Sequence, residues 1–256
     1  MAKIIPSVKR AFEILELFLR GVPSISVPEI TSQLDFPRTT AHELVQTLLS
    51  LGYLEKSDTE AHRYTLGLRI FELGGVYVSH LDITDVGKRV ASKISKECDE
   101  TVQMAILDGS EAVFIVRVDS SHTLRLVSAV GSRLPAHCTG VGKMMLSALS
   151  DENLAALYKG YKQLPKMTAN SITSKKALIK ELKAIRKRGY AYDDCESNED
   201  ARCVAAPVYD QNNTICAAMS ITVPVTRMSP ARRKELAGIV KNGAKELSQR
   251  LGYREK

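Results

Sequence analysis

Between Ser26 and Leu66 the chain compresses two helix signals and a hairpin signal into a stretch that can bury only a miniature core. Ser26-Val27-Pro28-Glu29 has the spacing of a capping box, in which the serine accepts from the residue-29 N–H and the glutamate reaches back. Val27, Ile30 and Leu34 follow on one helical face. Asp35-Phe36 reads as a turn, and Pro37 suits the first turn of the next helix, where its missing N–H costs nothing. That helix is predicted to run to about Ser50, with Ala41, Leu44, Val45, Leu48 and Leu49 inward. Thr39, Glu43 and Gln46 lie roughly opposite, with Thr40, His42 and Thr47 on the flanks. Gly52 ends it. Tyr53–Glu55 and Arg63–Leu66 then predict two strands joined by a polar tip, Lys56 to His62. Upstream, Ser7 to Arg20 is a further predicted helix, with Val8, Ala11, Phe12, Leu15 and Phe18 as its apolar stripe and Gly21-Val22-Pro23 as its stop.

Three helices and a hairpin in this order predict a winged helix-turn-helix over residues 1–66. A helix fits the major groove of B-DNA, and its N-terminal side chains reach base edges. Thr39, Thr40, His42, Glu43 and Gln46 are short or hydrogen-bonding groups of that kind, and Arg38 is placed for a phosphate or a guanine. Arg63, near the wing, is expected along the DNA backbone or minor groove. A generic three-helix packing unit would show the same periodicity. Charge does not separate the two, because residues 1–66 carry seven Lys/Arg against eight Asp/Glu. The basic excess lies further on, much of it on the helix Lys175–Arg188, and fits solvated helix faces.

After a predicted connecting helix, Gly67 to Ser79, the pattern turns α+β. Val86, Val90 and Ile94 mark a helix, and Thr101–Leu107 and Ala112–Val118 a hairpin around Asp108-Gly109. Thr123–Val127 is expected as a third strand. A helix from about Gly140 to Leu149, a Ser174-capped helix ending at Gly189, the strand pair Val204–Tyr209 and Ile215–Val223, and a last helix opened by Ser229-Pro230 complete an antiparallel sheet flanked by helices. His137 to Lys143 leads from a strand end into a helix start, and its glycines fit either a tight turn or a place where ligand approaches backbone N–H groups. Asp193, Asp194 and Glu196 fit a hydroxyl, amine or metal site, or a solvated loop.

The stretch Phe36-Pro37-Arg38-Thr39-Thr40-Ala41-His42-Glu43-Leu44-Val45-Gln46-Thr47-Leu48, with Gly52-Tyr53-Leu54 and Tyr64-Thr65-Leu66-Gly67, resembles the IclR family of bacterial regulators. The resemblance continues through Gly131–Lys143, Asp193-Asp194-Cys195-Glu196, Arg202–Val208 and Ser220-Ile221-Thr222-Val223-Pro224. It implies a DNA-binding regulator with a GAF-like α/β effector domain over residues 83–256, a linker helix over 67–82 around which dimer contacts form, and a homo-oligomer, dimer or tetramer, on palindromic double-stranded operator DNA. It also implies that Gly140, Val141, Asp193, Cys203, Ser220 and Thr222 surround a small-molecule effector, expected to be a small organic acid. Two departures stand out. Glu43 occupies a position where the family commonly has arginine, and Asp200-Ala201 replaces a usual Gly-Leu.

Competing readings make other predictions. A small-molecule hydrolase would pair Cys203 or Cys138 with His137 and Asp193. No family-type signature surrounds either cysteine, so no enzyme and no catalytic residue are expected. A pure protein-interaction module would lack salt-dependent DNA affinity. Five scattered cysteines without a CxxC pair argue against a disulfide framework or structural zinc, and the five histidines show no metal-ligand spacing, so neither metal nor cofactor is expected. No apolar run reaches the ~18 residues of a membrane span, and the start Met1–Pro6 is too short for a secretory signal. The expectation is a cytoplasmic protein without membrane contact.

Overall fold

The computed structural model describes residues 4–79, 83–122 and 129–255. The chain divides into two compact units, Met1–His80 and Leu81–Lys256.

In the first unit, helix α1 (Pro6–Leu17) runs into a single 3₁₀ turn and stops at Gly21, whose φ of 82° favours glycine. A two-residue strand β1 (Ile25–Ser26) leads into α2 (Val27–Leu34), which carries the expected capping box. Asp35 turns in the left-handed region, and α3 (Arg38–Ser50) follows. Strands β2 (Leu54–Lys56) and β3 (Arg63–Leu66) form the hairpin, and β1 joins its far edge in the order β1-β3-β2. Helix α4 (Leu68–Ser79) ends the described part of the unit and runs unbroken through Gly74-Gly75. The core is Ile14, Leu17, Phe18, Ile25, Ile30, Phe36, Ala41, Val45, Leu48 and Leu54.

Two local expectations need correction. The buried side of α1 is Ile14 and Leu17 with half-buried Ala11 and Leu15, whereas Val8 and Phe12 are 51% and 62% exposed. Both sets repeat at helical spacing, and packing against α3 selects Ile14 and Leu17. Pro37 is the N-cap of α3 with extended ψ, one residue outside the helix.

In the second unit α5 (Ile83–Cys98) precedes the hairpin β4 (Thr101–Asp108) and β5 (Glu111–Val118). The expected strand Thr123–Val127 lies outside the described residues. A short strand β6 (Arg133–Pro135), a 3₁₀ turn at Ala136–Cys138 and α6 (Gly140–Leu146) follow. Then come α7 (Asp151–Leu157), α8 (Lys175–Arg188), β7 (Ala191–Asp194), β8 (Ala201–Tyr209), β9 (Ile215–Pro224) and α9 (Pro230–Arg250). The strands make one antiparallel sheet, β6-β5-β4-β9-β8-β7. One face packs on α5 and α9 through Val90, Ile94, Leu236, Val240 and Leu247. The other packs on α6 and α8 through Val141, Met144, Leu178 and Ile185. Asp200 keeps an ordinary negative φ while its N–H meets the Asn198 Oδ1, so this loop has no need of the family's glycine. The left-handed residue nearby is Cys195.

Candidate functional site

Two places in the molecule gather the residues singled out by sequence. The first is the outward face of α3. Ala41, Val45 and Leu48 are buried, while Arg38, Thr39, His42, Glu43 and Gln46 are exposed and Thr40 is half-buried. No side chain caps the helix start, so the first N–H groups of α3 remain open to an anion, with no acidic residue in that turn. Arg38, Thr39, His42 and Glu43 line an open cleft whose far wall is His62 and Tyr64 of the hairpin. His62, in the left-handed region at the hairpin tip, was not singled out beforehand; nothing in the spacing of a polar tip tells which residue turns inward.

Arg63 lies elsewhere. Its Nε and Nη2 donate to the Ser24 hydroxyl and carbonyl, each at 2.8 Å, and its Nη1 meets Glu29 at 3.1 Å. Glu60 closes the cluster at 3.0 Å. Glu29, held below the usual carboxylate range first by the Ser26 N–H, thus caps α2 and anchors the wing strand at once. Arg63 is a positioning residue, not an outward cation. Arg63→Ala is expected to cost about 1–2 kcal/mol of stability. It should leave the salt slope of DNA binding unchanged, whereas a phosphate contact would take about one from that slope. Melting curves and a salt titration of binding check both.

The second place is a cavity of about 180 Å³ between the sheet and the start of α6, and all six expected residues line it. Strand register explains the convergence: Asp193 pairs Cys203, Cys203 pairs Thr222, and Ser220 pairs Gln103. Gly140 lies so close to this floor that a Cβ there would stand 2.6 Å from the Cys203 sulfur. The Thr139 hydroxyl accepts from the Gly142 N–H at 3.0 Å, and the Gly140 N–H is directed at the Cys203 sulfur. Of the N–H groups expected to receive a carboxylate, Val141 is therefore the one left open among the described residues. Ser220 is 1% exposed and lines the cavity. Gln103, Phe114, Leu134 and Met167 also line the cavity and were not foreseen. Gln103 was legible as a polar residue two positions from Ala105 in an apolar strand; Met167 lies in a segment with no periodicity.

Behind the cavity wall lies a buried charge cluster. Lys143, 0% exposed, donates to the Tyr192 carbonyl at 2.6 Å and to Glu196 Oε1. Asp193 accepts from the Glu196 N–H at 2.7 Å and the Ser197 hydroxyl at 2.9 Å. Burial raises the Asp193 carboxyl above its ordinary value. Burial also raises Glu196, to about 7, against the pull of Lys143. Among the described residues no group of three His, Cys, Asp or Glu side chains is arranged to hold a metal ion.

A Cys–His catalytic pair is not assembled. His137 directs Nε2 at the Pro165 carbonyl, 2.9 Å away, and lines a different cavity from Cys203. Burial pushes the Cys203 thiol well above its ordinary range and Cys138 to about 11, the opposite of an activated nucleophile.

Residues 7–58 match the IclR helix-turn-helix domain and residues 75–249 the bacterial transcriptional regulator IclR C-terminal domain. The chain is 32% identical over 250 residues to the HTH-type transcriptional regulator XynR of Escherichia coli (strain K12), covering 98% of each. It is 30% identical to the transcriptional repressor IclR of the same organism, over 97% of this chain and 90% of that one. The crystal structure of the Agobacterium tumefaciens repressor BlcR superposes with a TM-score of 0.87 at 28% identity, covering 99% of this chain and all of that one. The Thermotoga maritima IclR structure gives 0.64 at 29% identity, over 97% and 99% of the two chains. These relatives are regulators, not hydrolases, and among the described residues no helix is long and apolar enough to cross a membrane. The chain belongs to the IclR family of DNA-binding transcriptional regulators, with a C-terminal effector-binding domain.

Proposed function

We propose that this regulator acts in the cytoplasm as a homodimer or tetramer on palindromic operator DNA, and that a small organic acid in the C-terminal cavity shifts its operator affinity. The observation that carries the DNA reading is the outward face of α3: Thr39, His42, Glu43 and Gln46 are left to solvent beside a first turn with no side-chain cap and no acidic residue. Arg38 and the open N–H groups of the first turn take phosphates, and Thr39, Thr40, His42, Glu43 and Gln46 take base edges. Glu43 accepts from cytosine N4 where an arginine would select guanine. A dimer then requires half-sites about one helical turn apart.

For the effector, the cavity's size and polarity support an acid of a few carbons; its volume equals roughly six waters. The Ser220 hydroxyl and the Val141 N–H donate to such a ligand, the Asp193 carboxyl receives a hydroxyl, and Thr222, whose own hydroxyl donates to Gln103 Oε1 at 3.3 Å, lines the floor. Gly140 and Cys203 shape the wall. An acid changes operator affinity only by its different affinities for two protein conformations.

A duplex from the protein's own promoter region, titrated by fluorescence anisotropy at rising salt, tests the first part. Binding should fall steeply with salt, and Gln46→Ala should weaken it about tenfold at one base step. No binding at low ionic strength overturns the reading. For the second part, calorimetry with glycolate, lactate and pyruvate should show binding by at least one acid, weakened about tenfold by Ser220→Ala. Unchanged binding in Ser220→Ala and Asp193→Ala would remove the cavity as the site.

A further inference from the structure

Lys143 is fully buried behind the cavity wall and paired with Glu196, while Arg202, the cation that lines the cavity, is held by Asp194. The other carboxylate neighbour of Lys143, Glu181 at 3.9 Å, is engaged by Arg188 at 2.7 Å. That leaves one ammonium facing two buried carboxyl groups, Glu196 and Asp193. The remaining titratable neighbours do not restore the balance. Asp194 on β7 is paired with Arg202 of β8 at 2.6 Å. Cys138 on the 3₁₀ turn and Cys203 on β8 are thiols kept neutral by burial, and so is His137, whose basicity burial and the Lys143 charge both lower. From the segment between α7 and α8, the Thr168 and Ser171 hydroxyls donate to the Cys195 and Glu196 carbonyls, at 2.6 and 2.7 Å, and the Asn170 amide to the Asp194 carbonyl at 2.9 Å. Within this closed set Glu196 Oε2 is buried and has no hydrogen-bond partner. A charged oxygen without a donor is the costliest group a protein interior can hold. Asp193 meanwhile faces the cavity itself.

We propose that an acid effector enters this cavity together with a proton, which the Asp193–Glu196–Lys143 cluster takes up and holds while the effector is bound. This rests on the acid-effector reading above. The carboxylate of the effector would be a third negative charge gathered around one ammonium. At about 5 Å and an effective dielectric near 20, its repulsion is enough to move the cluster's titration upward by roughly two pH units. Glu196, already raised to about 7, is then protonated at pH 8 in the complex and largely ionised without it. The effector and the proton therefore bind cooperatively.

Calorimetry of the full-length protein with glycolate at pH 8, in phosphate and in Tris, reads the uptake directly from the dependence of heat on buffer ionisation. The expected value is close to one proton per glycolate, with affinity falling about tenfold per pH unit between 7 and 9. Glycolamide, the neutral isostere, should bind without uptake and without a pH slope. Glu196→Gln removes the surplus carboxyl; it should abolish the uptake and bind glycolate about tenfold tighter than wild type at pH 8. Should that variant fail to fold, the two-buffer measurement on the wild-type protein still decides. Glycolate binding with no proton uptake and a flat pH profile overturns this inference and leaves the acid-effector reading standing. No heat from glycolate, lactate or pyruvate at pH 6 overturns both.

Discussion

Alanine at position 142 is expected to destabilise the C-terminal unit by about 4 kcal/mol and to lower its melting temperature by about 10 °C. The reason is space, since Gly142 does not have a positive φ. A Cβ there would stand 2.2 Å from the Ala136 carbonyl oxygen and 2.4 Å from the Ala136 Cα. Both are backbone atoms of the preceding 3₁₀ turn, so no side chain can swing aside. The start of α6 would have to lift off that turn. Lifting it stretches the Thr139 cap at 3.0 Å and drags Lys143 from the Tyr192 carbonyl. Gly238 is the internal comparison. It lies within α9, and a Cβ there meets nothing within 4 Å. Gly238→Ala should therefore stabilise by roughly 0.5–1 kcal/mol through helix propensity alone. Urea unfolding of the two variants separates close approach from glycine content. A Gly142→Ala loss below about 1 kcal/mol would mean the turn yields easily, against the packing argument.

Lys143→Met is expected to cost about 3–5 kcal/mol at pH 8, because it leaves two buried carboxyl groups without their cation. The loss should shrink in acid. In the wild-type fold Glu196 is raised above its ordinary value to about 7, so the folded state binds a proton that the unfolded chain releases at lower pH. Stability on this account is greatest below the unfolded value near 4.5 and is lost as pH rises through about 7. Asp193, also raised, acts with the same sign. Removing the ammonium lifts both groups further, which widens the window upward. The gap between variant and wild type should therefore be small at pH 5 and largest at pH 8, measured by urea denaturation at several pH values. Adding Glu196→Gln to Lys143→Met should recover more than half of the loss. A deficit of equal size at every pH would show a packing defect instead of an uncompensated charge.

Much of this molecule is legible in the sequence alone, and the reasons are local. The capping box at Ser26, the inward set Ala41, Val45 and Leu48, and the helix stop at Gly189 each follow from the few residues around them. The same holds for the hairpin of β4 and β5, whose turn contains Gly109 with φ of 57°. Short elements were not legible. β1 has two residues and β6 three, too few for a period, and they exist because a neighbouring strand offers them hydrogen bonds. α1 was readable as a helix but not in its orientation. Val8 and Phe12 are exposed alongside the buried Ile14 and Leu17, so its apolar residues lie on more than one face.

For the candidate site the division is similar. Motif resemblance brought together Gly140, Val141, Asp193, Cys203, Ser220 and Thr222, and the sheet register places them around one cavity. It could not show that Arg63 turns inward to Ser24 and Glu29, or that Lys143 lies behind the wall with Glu196. On its own the sequence determined the helices with one apolar side, their caps and stops, and the strands whose turns are written in glycine and aspartate, because those preferences act over a few bonds. The tertiary structure decided which long cations are partnered, which carboxyl groups lose water and which of the apolar residues of α1 are covered. Those outcomes depend on groups far apart along the chain meeting in a medium that no longer screens them.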